Sequence, residues 1–345
     1  MDGVAQLSPQ ERGDLFRETA ARKSISESII QKDFWVCWTL MHLFTLSDRP
    51  RLLFKGGTSL SKVFAVIERF SEDIDLALDR RELGFSDDRD PRNAPSNRVR
   101  DNLLDELAKE CGRHISEGLL PRLQEAFGNV IGAGTDPAVW ELTIDPEDPQ
   151  TLLFRYPAST ATTEESGIAY IQPAVRLELG ARSDHWPSAE HPIRPYAAEE
   201  FPEFFASPFC EVTTLAAERT FWEKATLLHR EHHRGEHYEK ANRFSRHYYD
   251  LVMLARSPIK SSALEALDLL REVAEWKAAL FPQAWARYDL ARPGTLRLLP
   301  NQPVEKVLRR DYRDMAAGMF FTEPPSFDQL LTELRVLEDE INSRA

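Results

Sequence analysis

Apolar and polar positions predict a strand, a glycine turn, a helix and a second strand between residues 52 and 78. Residues 52–54 form a short apolar run typical of a buried strand, and two glycines follow it. Residues 60–67 repeat apolar positions at helical spacing, which predicts a helix that begins just after the glycines. Residues 73–78 begin with alternating polar and apolar positions, which predicts a strand with one wet face.

Helices are predicted on both sides of this stretch. A serine–proline pair is typical of a helix start, and it opens the first predicted helix, residues 8–22. Residues 24–46 are apolar nearly all round, which predicts a buried helix. After a polar, proline-punctuated loop at residues 79–97, helical periodicity returns over residues 98–127.

An antiparallel set of strands is predicted next, at residues 139–144, 150–156 and 174–180. In the third strand Arg176 and Glu178 share one face, while valine and leucine occupy the other. A polar face on a central strand costs free energy unless it is used. The third strand is therefore a candidate part of a functional site.

The second half of the chain is predicted to be mostly helical. Residues 184–211 are rich in proline, aromatic and acidic residues, and they form the predicted domain boundary, as a linker or an ordered wrap. A helix capped by Thr213 or Thr214 is predicted to follow and to run to about Arg230. Residues 261–345 are mostly helical by the same periodicity.

Composition and charge exclude some classes of protein. The chain has 345 residues, of which 42% are hydrophobic, and a net charge of −13, which argues against a basic surface that coats duplex DNA. The net charge does not exclude a local basic patch that binds RNA. The three cysteines are widely spaced and predict neither a disulfide framework nor a zinc site. No apolar run approaches the roughly 18 residues of a membrane span, and no signal peptide is expected, so the expected location is the cytoplasm.

Asp73 and Asp75 lie two residues apart on one predicted strand, so their side chains point to the same face. Two carboxylates on one face can share one or two Mg²⁺ ions, which also bind phosphate oxygens. The turn before them contains Gly56 and Gly57, whose missing Cβ atoms let backbone N–H groups approach a phosphate. Each motif alone is more often a plain turn or a solvated strand face. Their combination and order favour metal-assisted phosphoryl transfer.

Residues 56–60 and 71–76 resemble the nucleotidyltransferase superfamily that includes DNA polymerase beta, and within it the AbiEii/AbiGii-type toxins and their MenT-like relatives. The resemblance implies an α/β nucleotidyltransferase fold, a mixed β-sheet with helices, followed by an α-helical domain. The expected domains are residues 1–205 and 206–345. The active site is expected in the cleft between them.

The same resemblance implies a function. The expected reaction moves a nucleoside monophosphate from an NTP to an acceptor hydroxyl, with Mg²⁺ or Mn²⁺ as cofactor. It implies the toxin of a toxin–antitoxin or phage-defence pair, with a cognate antitoxin as partner and the 3′ end of a tRNA as acceptor. Gly56, Gly57, Thr58 and Ser59 are expected to bind the triphosphate. Two alternatives stay open: kinase-like transfer of the γ-phosphoryl group to a protein Ser or Thr, and a binding module without catalysis.

Glu178 is the candidate for a third metal ligand beside Asp73 and Asp75. In this superfamily the third carboxylate lies on a later strand, next to the Asp-x-Asp strand, and the strand that carries Glu178 is the one with an unexplained polar face. The alternative interpretation is an ion pair between Glu178 and Arg176 or Arg182.

Two later segments resemble further motifs of the toxin family. In residues 217–228 a helix presents Lys224, which is expected to hold the phosphates and to stabilise charge in the transition state. In residues 240–256 Arg246 is expected to contact the triphosphate, and Asp250 to hold the lysine or to act as a general base. The alternatives are a surface Glu–Lys pair and an Arg246–Asp250 ion pair within one helix.

Two other clusters have weaker interpretations. His229 and His233 stand at metal-binding spacing within the histidine-rich residues 229–237, but no cysteine is near, so a connector or an RNA-facing loop is favoured over a zinc site. Lys32 and Asp33 belong to a segment that resembles one near the start of the toxin family. They are interpreted as solvated turns of a packed helix, with a functional role as the alternative.

Overall fold

The computed structural model describes residues 1–47, 49–71, 73–132, 139–159, 174–234, 243–316 and 318–345. Glu72, which directly precedes the Asp-x-Asp motif, lies outside the described residues. Residues 235–242 also lie outside them, and they include the end of the histidine-rich stretch 229–237 and the start of the segment 240–256 that resembles a motif of the toxin family. The chain divides into two units. The sheet unit comprises Met1–Val63, Phe70–Arg89 and Asn102–Thr214, and the helical unit comprises Phe64–Arg69, Asp90–Asp101 and Leu215–Ala345. The predicted domain boundary after residue 205 stays a prediction.

The sheet unit is built on a seven-stranded mixed sheet. The strands are β1 Leu52–Lys55, β2 Asp73–Leu78, β3 Glu141–Asp145, β4 Asp148–Arg155, β5 Ala174–Gly180, β6 Ser188–Ile193 and β7 Cys210–Leu215. Their spatial order is β3-β4-β5-β2-β1-β7-β6. β2 therefore lies in the middle, antiparallel to β1 and parallel to β5. This sheet, with the helices around it in the sequence, confirms the predicted fold class.

Helices make up most of the remaining described chain. Those of the sheet unit are α1 Asp2–Ala5, α2 Pro9–Lys23, α3 Glu27–Thr45, α4 Gly56–Lys62, α5 Asn97–Arg113 (whose first residues belong to the helical unit), α6 Leu120–Ile131 and α7 Tyr196–Glu200, with the π-helix His114–Leu119 between α5 and α6. Those of the helical unit are α8 Ala217–His232, α9 Arg246–Arg256, α10 Ile259–Glu265, α11 Leu267–Leu280, α12 Gln302–Ala316 and α13 Phe327–Asn342. Within the described ranges, no helix has the length and apolar character needed to cross a bilayer.

The long apolar helix predicted near the start of the chain is confirmed as α3. Ser26 caps it by accepting a hydrogen bond from a backbone N–H of the first turn at 3.4 Å. Trp35 and Trp38 are fully buried. The Trp38 ring centroid lies 4.5 Å from that of Phe127 in α6 and 5.8 Å from that of Phe154 in β4. Each aromatic pair adds about 0.5–1.5 kcal/mol to the burial of its area, so these contacts fix α3 on the sheet.

The helix at the glycine turn starts at the first glycine and is shorter than predicted. It spans Gly56–Lys62, whereas the sequence predicted a helix that begins just after Gly57 and continues through residue 67. The residues that follow make other contacts: the Glu68 carbonyl accepts a hydrogen bond from the Phe321 N–H at 3.0 Å, and the Glu68 N–H donates to the Tyr249 hydroxyl at 3.3 Å. Because these tertiary contacts replace helical hydrogen bonds, they override the local periodicity.

The proline-rich stretch predicted as a linker contains β6, α7 and the start of β7. The helix predicted from Thr213 or Thr214 begins only at Ala217, because Cys210–Leu215 forms a strand instead. Thr214 pairs with Phe54, so β7 extends the sheet in parallel beyond β1. The two threonines were interpreted as helix caps, but they belong to this strand.

Candidate functional site

Strand pairing brings the three predicted metal ligands to one face of the sheet. In the register of β2 and β5, Asp75 pairs with Glu178 and Asp73 pairs with Arg176. Side chains alternate along a strand, and paired strands lie about 4.8 Å apart, so Asp73, Asp75 and Glu178 share one face at close range. The prediction that the strand of Glu178 lies beside the Asp-x-Asp strand is confirmed.

The alternative interpretation of Glu178 also has a counterpart in the structure. Nε of Arg176 lies 3.8 Å from Oε1 of Glu178, whereas Nη1 of Arg176 lies 2.8 Å from Oδ2 of Asp145. The side chains of Arg176 and Glu178 are 42% and 45% exposed, so the longer pair contributes little free energy. Asp145 is the closer of these two partners of Arg176.

Gly56 makes space for the carboxylate of Asp75. Its φ is +77°, in the left-handed region that favours glycine, and a Cβ atom built there would lie 1.8 Å from Oδ2 of Asp75. The sequence predicted that the missing Cβ would admit a phosphate. The structure places a candidate metal ligand against this glycine, which ties the glycine turn and the Asp-x-Asp motif into one local arrangement.

Thr58 and Ser59 of the same turn are buried, and their hydroxyls bond to the backbone. The Thr58 hydroxyl donates to the carbonyls of Asp73 and Ser71, and the Ser59 hydroxyl donates to the Gly56 carbonyl at 2.9 Å. These bonds hold the turn to the first residue of β2. A role of these residues in binding phosphate would therefore fall to their backbone N–H groups.

The donor chemistry of this face fits a divalent cation that prefers oxygen ligands, such as Mg²⁺ or Mn²⁺. All three candidate ligands are carboxylates, and the bare Cα of Gly56 leaves one of them room to lie beside the turn. Across the described ranges, no three acidic, histidine or cysteine side chains already converge on one point. Glu178 would have to turn away from Arg176 to join Asp73 and Asp75.

The helical unit contains a second cluster of functional candidates on α8 and α9. Nζ of Lys224 lies 2.9 Å from Oδ2 of Asp250 and 2.9 Å from Nδ1 of His247. Asp250 is fully buried and accepts two hydrogen bonds from Arg69, Nε to Oδ1 at 2.8 Å and Nη2 to Oδ2 at 2.9 Å. Contact with the lysine is one of the two roles expected for Asp250, and the structure contains it.

The charges around Asp250 decide its protonation state. Burial alone would raise the pKa of Asp250, but the cations of Arg69 and Lys224 outweigh burial and hold that pKa below its ordinary value. Burial lowers the pKa of Lys224, and the negative charge of Asp250 opposes this. A carboxylate that is buried, ionised and bonded to two cations is a poor proton acceptor, so the geometry favours Asp250 as an anchor for Lys224 over a general base.

Like His247, Arg69 is a member of this cluster that sequence reasoning missed. It is 1% exposed, although it stands in a polar stretch just before β2. No spacing around it points to Asp250, which is 181 residues away. Arg246 begins α9, and its charge contributes to the lowered pKa of Lys224, so it lies close to the same cluster.

His229 does not offer a nitrogen to a metal. Its Nε2–H donates to the Arg287 carbonyl at 2.9 Å, and its Nδ1 accepts from the Arg297 N–H at 3.0 Å. Both ring nitrogens are therefore used by backbone groups, and the ring holds α8 to the segment after α11. His237, at the end of the histidine-rich stretch, lies outside the described residues.

Lys32 and Asp33 are 2% and 4% exposed, so the interpretation as solvated turns is wrong. Asp33 forms an ion pair with Lys62, the last residue of α4, and its Oδ2 accepts from the Tyr196 N–H at 2.7 Å. Lys62 also lies 3.8 Å from the centroid of the Tyr196 ring. Asp33 thus connects α3, α4 and α7, which is a structural role.

Comparison with known proteins supports the assignment of this chain. Residues 38–333 match the model of the family described as "Nucleotidyl transferase AbiEii toxin, Type IV TA system". No curated protein sequence matches the chain. Among solved structures, the chain is similar to MenT4, a nucleotidyltransferase toxin from Mycobacterium tuberculosis H37Rv, at 16% identity and a TM-score of 0.46, over 94% of this chain and 88% of that one. Because the family match covers most of the chain, from within α3 into α13, the chain belongs to the AbiEii nucleotidyltransferase toxin family of type IV toxin–antitoxin systems.

Proposed function

We propose that this nucleotidyltransferase toxin transfers a nucleoside monophosphate from an NTP to the 3′ hydroxyl of a tRNA. Family membership supplies the reaction class, the NTP substrate and the cognate antitoxin. The tRNA acceptor rests on the resemblance to the toxin family alone. The observation that carries the assignment of the site is the pairing of Asp75 with Glu178, which puts three carboxylates on one face of the sheet.

Asp73, Asp75 and Glu178 would hold Mg²⁺ or Mn²⁺ on this face, since hard cations bind carboxylate oxygens. When bound, such an ion neutralises phosphate charge and favours ionisation of the acceptor hydroxyl. Gly56 supports the arrangement, because its missing Cβ gives the carboxylate of Asp75 its position. The new bond joins the acceptor oxygen to the α-phosphorus, the bond between that phosphorus and the β-phosphate oxygen breaks, and pyrophosphate leaves.

The NTP phosphates need positive partners. The backbone N–H groups of Gly56, Gly57, Thr58 and Ser59 are proposed contacts, since both hydroxyls of the turn are bonded elsewhere. Lys224 and Arg246 are the proposed cationic contacts. Lys224 would stabilise the charge that develops on the departing pyrophosphate, and Asp250 would hold Lys224 in place.

The test is incubation of the purified protein with each α-³²P-labelled NTP, Mg²⁺ and total tRNA, followed by gel electrophoresis. We expect label on tRNA with the native protein and none with Asp73→Ala or Asp75→Ala. Glu141→Gln is a matched control, because Glu141 is a β-strand carboxylate in an ion pair with the exposed Arg155. Label that persists in Asp75→Ala would refute the site assignment. Label transferred to protein from γ-³²P-ATP would favour the kinase alternative, and no label in either assay would favour a binding module.

A further inference from the structure

The cluster around Lys224 contains Arg69 and His247, which the proposed chemistry does not yet use. The Lys224 ammonium has three N–H bonds, and Asp250 and His247 accept two of them at 2.9 Å. The Lys224 side chain is 10% exposed. No further protein acceptor for this ammonium is found in the described part of the chain, so its third N–H bond is left for a ligand.

Arg69 holds the carboxylate of Asp250, and this carboxylate in turn holds the Lys224 ammonium. Its guanidinium bonds both oxygens of Asp250, at 2.8 and 2.9 Å, in the two-pronged geometry that prevents rotation of the carboxylate. The backbone of Arg69 is itself held by a β-bridge to Phe320. Arg69 and Asp250 are 1% and 0% exposed, so water does not compete for these bonds. The position of Oδ2, and with it that of Lys224 Nζ, is set by Arg69.

His247 is the second acceptor of the Lys224 ammonium. Its Nδ1 can accept from Lys224 only when the ring is neutral, and burial together with the charge of Lys224 keeps the pKa of His247 well below its ordinary value. An acceptor that stays neutral orients the ammonium without neutralising its charge. His247 therefore orients the ammonium, and of its two acceptors Asp250 alone carries a compensating negative charge.

We propose that Arg69 and His247 are positioning residues that direct the Lys224 ammonium toward the phosphates of the NTP. This inference rests on the proposed function, in which Lys224 contacts those phosphates. Arg69 acts through Asp250, and His247 acts directly on Nζ. Neither side chain is required to touch the nucleotide. Removal of either one should therefore weaken phosphate binding only while Lys224 is present.

The test is the affinity of the full chain for the α,β-methylene analogues of ATP, GTP, CTP and UTP, measured by calorimetry. Arg69→Gln and His247→Leu are made in the native chain and in Lys224→Met, which forms two double-mutant cycles. We expect Lys224→Met to weaken binding by about 10- to 100-fold, the effect of a hydrogen bond to a charged group. Each of the other two changes should weaken binding by about tenfold in the native chain and by less than about twofold in Lys224→Met.

Two conservative variants separate positioning from folding. His247→Asn places an amide oxygen near the position of Nδ1, so it should recover most of the affinity that His247→Leu loses. Arg69→Lys keeps the charge but not the two-pronged bond, so it should behave like Arg69→Gln. Because Arg69→Lys keeps a cation beside Asp250, it also replaces Arg69→Gln in the test if that variant does not fold. Arg256→Gln on α9 is the matched control, since Arg256 forms a bidentate pair with Glu333 at the surface and should leave affinity unchanged.

The outcomes are distinct. If Lys224→Met binds the analogues as tightly as the native chain does, the proposed role of Lys224 fails, and the positioning role fails with it. If Lys224→Met weakens binding while the Arg69 and His247 variants lose affinity equally in both backgrounds, the proposed function stands and the positioning role is overturned. Thermal melting of every variant confirms that the compared proteins are folded.

Discussion

Gly56 and Asp75 are in contact in a way that no other residue at position 56 would allow. A Cβ atom on Gly56 would lie 1.8 Å from Oδ2 and 2.5 Å from Cγ of Asp75. The neighbouring atoms belong to a strand residue in the middle of the sheet, where β2 is paired on both sides. A side chain at position 56 would therefore displace the carboxylate of Asp75, because the strand itself cannot move away.

We expect Gly56→Ala to lose at least about 100-fold in nucleotidyl transfer, since a displacement of about 1 Å at a reacting centre costs that much. Gly84→Ala is the matched control. Gly84 has a similar φ of +82°, but the nearest atom to its Cβ position is Nη1 of Arg89 at 3.8 Å. Both variants should lose about 1–2 kcal/mol of stability from the left-handed backbone, and only Gly56→Ala should lose activity. Equal activity of the two variants would contradict the role of this contact.

The two interpretations of Glu178 predict different effects of metal concentration. If Glu178 is a ligand, Glu178→Gln should raise the Mg²⁺ concentration for half-maximal activity by more than about tenfold. Loss of a residue that only hydrogen-bonds a metal ligand already lowers metal affinity by about tenfold or more. Arg176→Gln should change it little, because the short ion pair of Arg176 is with Asp145. An Mg²⁺ titration of both variants decides between them. Equal shifts in both would favour the ion pair.

Local periodicity was enough to predict that Asp73 and Asp75 share one face, because side chains alternate along a strand. The same reasoning succeeded for the buried α3. These features depend on residues close together in the sequence, so a short window contains their pattern. The place of Glu178 beside the two aspartates came instead from the resemblance to the superfamily, and the register of β2 and β5 confirms it.

Contacts between distant segments could not be predicted in this way. Arg69 bonds Asp250 across 181 residues, and Asp33 bonds the Tyr196 N–H across 163 residues. An arginine or aspartate in a polar or helical stretch has the same local pattern whether it is solvated or buried. The predicted end of the helix after the glycines was wrong for a related reason. The residues after α4 belong to the helical unit and bond there to residues that are distant in the sequence.

The buried pair of Asp33 and Lys62 predicts a stability effect that depends on both partners. Asp33→Asn or Lys62→Met alone leaves one charge buried and unpaired, which should cost about 3–5 kcal/mol of unfolding free energy. The double variant Asp33→Asn/Lys62→Met removes both charges and keeps an acceptor for the Tyr196 N–H. We expect it to be more stable than either single variant. Urea denaturation measures this, and simple additivity of the single losses would argue against a buried charge pair.

His229 predicts a loss of stability in weak acid. It is fully buried, and burial lowers the pKa of His229 from 6.5 to about 4. Between these values the unfolded chain binds a proton that the folded chain does not, so stability falls as the pH falls through this window and levels off below it. From about pH 7.5 to about pH 5 this single group should cost about 2 kcal/mol. His229→Gln removes this titrating group. Over the same pH interval, the free energy of unfolding of the variant should therefore fall by about 2 kcal/mol less than that of the native protein. Other histidines with lowered pKa values contribute equally to both proteins, and the difference between two series of urea melts therefore isolates His229. Parallel pH profiles for the two proteins would show that His229 is already charged, or exposed, in the folded state.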